Sequence, residues 1–165
     1  MGYTIAPWAG FGEALAAMAG ALTGLLFVAL SVKSEVLAAS RSVSSRAAQT
    51  LVLFMISVLI AVFLVAPQPA AALGAELLAV AAVSGTALLI LDRRAGYGSD
   101  QDMARNVEKF SKFSPNTITA MLVGVAGLTF LVKAGGGLYW LIPAAVASLL
   151  GGAANAWLFL VRVTG

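Results

Sequence analysis

The sequence predicts an all-α fold: a polytopic transmembrane helical bundle of five spans, with the N-terminus outside and the C-terminus in the cytoplasm. Three observations carry that prediction. First, of 165 residues 61% are hydrophobic and only 10% are charged, and the mean hydropathy is +0.97. A soluble domain is nearer half apolar and a quarter charged. Second, the run at 10–32 holds a single charge, Glu13. At about 1.5 Å per residue it makes roughly 34 Å of helix, enough to cross a bilayer core of about 30 Å. Third, the Lys and Arg residues fall almost entirely in alternate loops, as the positive-inside rule requires.

Residues 1–9 carry no Lys or Arg, so they lack the basic n-region of a secretory signal. Pro7 suits the first turn of a helix, where its missing N–H is not needed. Tyr3 and Trp8 suit the membrane–water interface. Span one is expected at about 8–32. The polar stretch 33–46 follows, with Lys33, Arg41 and Arg46. Span two, about 47–66, contains LVLFMISVLIAVFLV. Its bulky side chains predict a lipid-facing helix. Pro67-Gln68-Pro69 is too short to cross a membrane and blocks helix continuation at both ends. Spans two and three therefore form a hairpin. Span three, about 70–91, carries Glu76 and ends at Asp92-Arg93-Arg94.

The longest loop contains a segment, about 100–113, with Met103, Val107, Phe110 and Phe113 at helical spacing. Arg105, Lys109 and Lys112 lie largely off that face. Two readings fit. One is an amphipathic cytoplasmic helix lying on the membrane, with Arg105, Lys109, Lys112, Phe110 and Phe113 against lipid. The other is a loop helix packed on the protein. Ser114-Pro115 reads as an N-cap and first turn. Span four, 116–132, is at the lower length limit for crossing, and a re-entrant segment is its alternative. Lys133 and the glycines 135–137 make the next turn. Leu138-Tyr139-Trp140-Leu141 is an interfacial anchor, and Pro143 opens span five, about 142–162. The whole of 1–165 is one transmembrane domain.

Alternating the loops places Lys33, Arg41, Arg46, Arg93, Arg94, Arg105, Lys109, Lys112 and Arg162 on one side and Lys133 on the other. That asymmetry sets the orientation of a chain that crosses its membrane several times. A four-span count would split Arg162 from the 92–116 loop.

Small residues recur four apart: Ala16-Gly20-Gly24, Ala120-Gly124, Ala147-Gly151 and Gly152-Ala156. In lipid such positions let backbones approach closely. The glycines Gly20, Gly24, Gly124, Gly151 and Gly152 are expected to pack within one bundle, or else to join copies of the chain.

An ionisable residue inside a membrane is a functional candidate by default. Glu13 follows Pro7 by six residues and Glu76 follows Pro69 by seven, which places both carboxylates at one depth near the outer surface. Together with Lys133 they are candidates for ion or proton binding. The structural alternative is an ion pair with Lys133 or a carboxylate at the headgroup boundary. Asn155 and Thr23 are the candidate polar contacts within the membrane. For Asn155 the expected role is a hydrogen bond between helices. Thr23, Ser57, Ser84, Thr86, Thr129 and Ser148 can each bond the preceding turn of their own helix.

The sequence has no cysteine and no histidine, which removes haem, iron–sulfur and thiol chemistry and nearly all zinc or copper sites. No cofactor, metal or nucleic-acid partner is expected. G-x-S-x-G, HExxH and P-loop motifs are missing, so no catalytic residue is assigned. A potassium-filter motif is missing too.

The segments GALTGLLFVALSV (20–32), RAAQTLVLFM (46–55), ALGAELL (72–78) and GGGLYWLIPAAVASLLGGAANAWLFLV (135–161) resemble small actinobacterial membrane proteins labelled as modulators of the FtsH protease. The resemblance covers most of the chain except 92–116, and implies a multi-span plasma-membrane protein. That family supplies no catalytic or binding residues to carry over.

Two functions are expected to compete. One is a non-enzymatic accessory or regulatory subunit that binds another membrane protein or complex, besides the lipid bilayer. The other is a homo-oligomeric channel or carrier for small cations or protons. A channel needs polar residues along one helical face. Along span one Thr23 sits about 80° from Glu13 and Ser31 about 80° from Thr23, at about 100° per residue, so the three do not share one face. The accessory role ranks first.

Overall fold

The structure, a computed structural model, describes residues 2–32, 41–96 and 115–164. The described residues form five α-helices: α1 (Ala9–Val32), α2 (Arg41–Val65), α3 (Ala70–Gly96), α4 (Pro115–Val132) and α5 (Leu141–Thr164). Single 3-10 turns at Ala6–Trp8 and Gly137–Trp140 lead into α1 and α5. The described residues contain no strand. Four segments are long and apolar enough to cross a membrane: Ala6–Val32, Ser44–Val65, Ala70–Leu91 and Gly137–Trp157. The fifth, Asn116–Val132, is a continuous apolar helix but shorter. The amphipathic segment 100–113, with Arg105, Lys109, Lys112, Phe110 and Phe113, lies outside the described residues.

Two helices overrun their apolar stretches. α2 starts at Arg41 rather than at about 47, and α3 continues to Gly96 rather than stopping at about 91. Nothing between Leu91 and Gly96 breaks a helix, and Arg93 near its C-terminus complements the helix dipole.

α2, α3, α4 and α5 form a closed ring, each packed on the next and α5 returning to α2. α1 lies outside the ring, against α2. Leu53, Ile56, Ile60, Leu64, Leu73, Leu77, Val123 and Leu141 fill the centre. α2 is therefore central along one side and exposed along the other at Met55, Leu59 and Val62, with 50% of its apolar stretch buried against 22% for α1. Its bulk is used against small neighbours. Phe54 lies on Gly152 of α5, and Leu64 and Val65 lie on Gly12 of α1. Large side chains seated on glycine bring the backbones together and raise the number of dispersion contacts.

The α3–α4 contact is a seam of small residues. A Cβ on Gly127 would lie 3.0 Å from the Gly74 carbonyl oxygen and 3.1 Å from Leu77 Cβ. Further along the seam, Gly124 faces Ala81 and Gly85 faces Ala120.

The start of α1, the end of α2, the start of α3, the end of α4 and the start of α5 meet at one end of the bundle, the Trp8 end. Here the first residues are clasped by the 133–140 turn. The Leu138 N–H donates to the Gly2 carbonyl at 2.9 Å, and the Gly136 N–H donates to Tyr3 Oη at 3.0 Å. The Trp8 ring meets Tyr139 edge-on at 5.2 Å and Phe11 at 5.7 Å. The turn closes through left-handed residues: Lys133 at φ 54°, then Gly135, Gly136 and Gly137 at 81°, 111° and 58°. The Ala134 N–H reaches the Thr129 carbonyl and the Lys133 N–H reaches that of Phe130. This is a Schellman motif, in which glycine is the usual residue at the left-handed position; Lys133 occupies it here.

Candidate functional site

Two surfaces emerge from the residues singled out by sequence. The first is the outward face of α1. α1 turns Gly12, Leu15, Ala19, Thr23 and Leu26 inward, which leaves Glu13, Ala16, Ala17, Gly20 and Gly24 exposed. A Cβ on Gly20 or Gly24 would meet nothing within 4 Å. Packing within the bundle, expected for this stripe, thus does not hold for Gly20 and Gly24. The helical period explains the outcome. Glu13, Gly20 and Gly24 fall within about 40° of one another at about 100° per residue, and that sector lies about 120° round the helix from the centre of the one that rests on α2. The other small residues do pack: Gly124 in the α3–α4 seam, and Gly151 and Gly152 buried on α5.

The second surface is a groove of about 470 Å³ between α2 and α3. Met55, Leu59 and Phe63 form one wall, and Ala79, Val80 and Val83 the other. Glu76 and Ser84 are its polar lining residues. The Ser84 hydroxyl is used, donating to the Val80 carbonyl of its own helix at 2.5 Å. Glu76 differs, because its Oε2 is buried and makes no hydrogen bond among the described residues. A buried polar atom without a partner costs on the order of 1–3 kcal/mol. A smaller cavity, about 240 Å³, lies between α3 and α4 and is lined by Ala81, Gly85, Leu88, Asn116 and Met121 among others.

The ionisable candidates are not brought together. Glu13 is on the exposed face of α1, whereas Glu76 lines the α2–α3 groove, to which α1 contributes no residue. Lys133 is exposed in the turn after α4, and the described residues show no ion pair between it and either carboxylate. Thr23 is buried and donates back to the Ala19 carbonyl at 2.7 Å. Asn155 is half-buried on α5, with no hydrogen-bond partner among the described residues. Ser84, Thr86 and Thr129 likewise bond their own preceding turns.

Ser57 and Ser148 do not. Both are fully buried, and their hydroxyl oxygens lie 3.0 Å apart across the α2–α5 contact. Ser148 Oγ also donates to the Leu53 carbonyl. That uses its single proton, so Ser57 must donate to Ser148. A signal for the pair was present. Ser57 precedes the end of α2 by eight residues and Ser148 follows the start of α5 by seven, so both lie at one depth from the Trp8 end.

Among the described residues no cluster of three or more Asp or Glu side chains is placed to hold a metal ion. Comparison of the chain with family models, with curated proteins and with solved structures finds no match.

Proposed function

We propose that this chain is a non-enzymatic accessory or regulatory subunit of a bacterial plasma membrane, which docks another membrane protein through the outward face of α1. The observation that supports this reading is the open stripe Ala16, Gly20, Gly24. Bilayer-facing positions favour bulky apolar side chains, as Met55, Leu59 and Val62 on α2 illustrate. Glycine there forfeits contact with lipid, whereas a second helix recovers it by close approach. Glu13 on the same face adds a carboxylate that a basic or hydrogen-bonding partner side chain would match. The bundle spans the membrane five times, with Asn116–Val132 as the fourth crossing, the N-terminus outside and the C-terminus in the cytoplasm. The positive-charge asymmetry of the loops supports that orientation. A membrane-anchored protease of the FtsH type is the partner class suggested by the resemblance of the sequence. The competing reading, a cation or proton channel, needs Glu13 and Glu76 on one path, and the two line different surfaces.

The test is site-specific photo-crosslinking in native membranes. A photoreactive residue at position 20 or 24 should give one discrete protein adduct, whose mass identifies the partner or a second copy of the chain. The same residue at position 59 should label lipid. Gly20→Leu should abolish an adduct formed from position 24. Equal, purely lipidic labelling from positions 20, 24 and 59 would refute the docking face.

A further inference from the structure

We propose that the groove between α2 and α3 binds an amphiphilic amine, with the apolar chain lying between Met55 and Val83 and the protonated amino group donating to Glu76 Oε2. The groove's volume of about 470 Å³ falls within the range of small-molecule sites, about 300–1,000 Å³. From Glu76 to Ala87, both of which line it, is eleven residues of α3, or about 16 Å of helix. The walls are apolar and one end holds a single carboxylate with a buried, unpartnered oxygen. The occupant must match both features, an extended apolar body and one terminal hydrogen-bond donor.

Other occupants match only one of them. A lipid tail fills the walls but brings no donor to Oε2. A partner helix, about 10–12 Å across with its side chains, uses its backbone N–H groups internally and would reach Oε2 only through a basic side chain extended past the apolar walls. Calcium or magnesium needs about six oxygen ligands or retained water, and this groove presents one carboxylate among hydrocarbon. An ammonium group makes a charge-assisted N–H···O bond to the buried oxygen, while its chain removes the groove's hydrocarbon walls from contact with the surroundings. The site is separate from the docking face, since no α1 residue lines it, and either reading can fail without the other.

The full chain, purified and placed in phosphatidylcholine nanodiscs, is titrated with dodecylamine and read by native mass spectrometry and by thermal midpoint. Wild type should take up one amine per chain, saturably, with a raised midpoint. Glu76→Gln should weaken binding at least tenfold, and so should Ala79→Trp, which fills the groove from an exposed position. Glu13→Gln should bind as wild type. Circular dichroism checks that each variant keeps its helicity; if Ala79→Trp does not, Val83→Trp, at a position 72% exposed, takes its place. Undiminished binding by Glu76→Gln, equally tight binding of dodecanol, or no saturable uptake by wild type would each overturn the proposal.

Discussion

Ser148→Ala tests the buried link between α2 and α5. In the native bundle Ser148 donates to the Leu53 carbonyl and accepts from Ser57, which makes two hydrogen bonds between the helices. Ser148→Ala removes both. The stranded Ser57 hydroxyl, fully buried, then turns to the Leu53 carbonyl, its own i−4 acceptor, as serines in helices do. It is satisfied, but no bond crosses the contact. Ser57→Ala is milder, because Ser148 keeps its bond to Leu53. Hydrogen bonds between membrane helices are worth about 0.6 kcal/mol on average and about 1.7 kcal/mol at most. Ser57→Ala should therefore cost about 0.6 kcal/mol and Ser148→Ala about twice that, again from the per-bond figure. The difference is roughly a threefold change in the unfolding constant, since about 1.4 kcal/mol is tenfold. The double variant should cost no more than Ser148→Ala alone, because the bonds removed are shared. The assay is unfolding by SDS in mixed micelles, followed by tryptophan fluorescence, to which Trp8, buried in the fold, contributes. If Ser57→Ala proved as costly as Ser148→Ala, or if the two effects added, the assignment of donors would be wrong.

Gly127→Ala should destabilise the same unfolding transition by about 1–3 kcal/mol, as overpacking does, because its Cβ would press on the Gly74 carbonyl and on Leu77 Cβ, neither of which can rotate away. Gly20→Ala and Gly24→Ala, in open space, should stay within about 0.5 kcal/mol of wild type. A large cost would mean that α1 packs inward on that face. Lys133→Gly should stabilise by about 1 kcal/mol, since the left-handed conformation at φ 54° strains a side-chain-bearing residue by about 1–2 kcal/mol. Gly136→Ala, at φ 111°, should cost about 1–3 kcal/mol, read as a lowered thermal midpoint.

The apolar helices were legible in the sequence because membrane length and hydropathy are local properties. The Pro67–Pro69 turn and the aromatic start of α5 were legible for the same reason: each is set by residues adjacent in the chain. Helix partners were not. Bulk in 51–65 looked like a lipid-facing surface, yet Phe54 and Leu64 are buried against glycines of α5 and α1. Bulk suits lipid and small-residue neighbours equally well, and only the arrangement of helices decides between them. The glycine stripes had the same ambiguity in reverse. Gly124 and Gly20 share a motif, but only Gly124 faces another helix of this chain. The pairing of Glu13 with Glu76 failed because depth fixes one coordinate only, and rotation about each helix axis aims the two side chains at different surfaces. Depth alone would have paired Ser57 with Ser148.

The clasp between residues 2–3 and 136–138 bears on how the chain is assembled. Tyr3 and Gly136 are 133 positions apart, so one half of this contact is made well before the other. Synthesis delivers N-terminal segments first, at about 5–20 residues per second. During that interval α1 has only α2 to rest on, and its anchor at the Trp8 end cannot form until the turn before α5 is inserted. Contacts of such sequence separation close slowly. α1 is thus made before the other four helices yet fixed in position after them, and during that time window it is held by one neighbour alone.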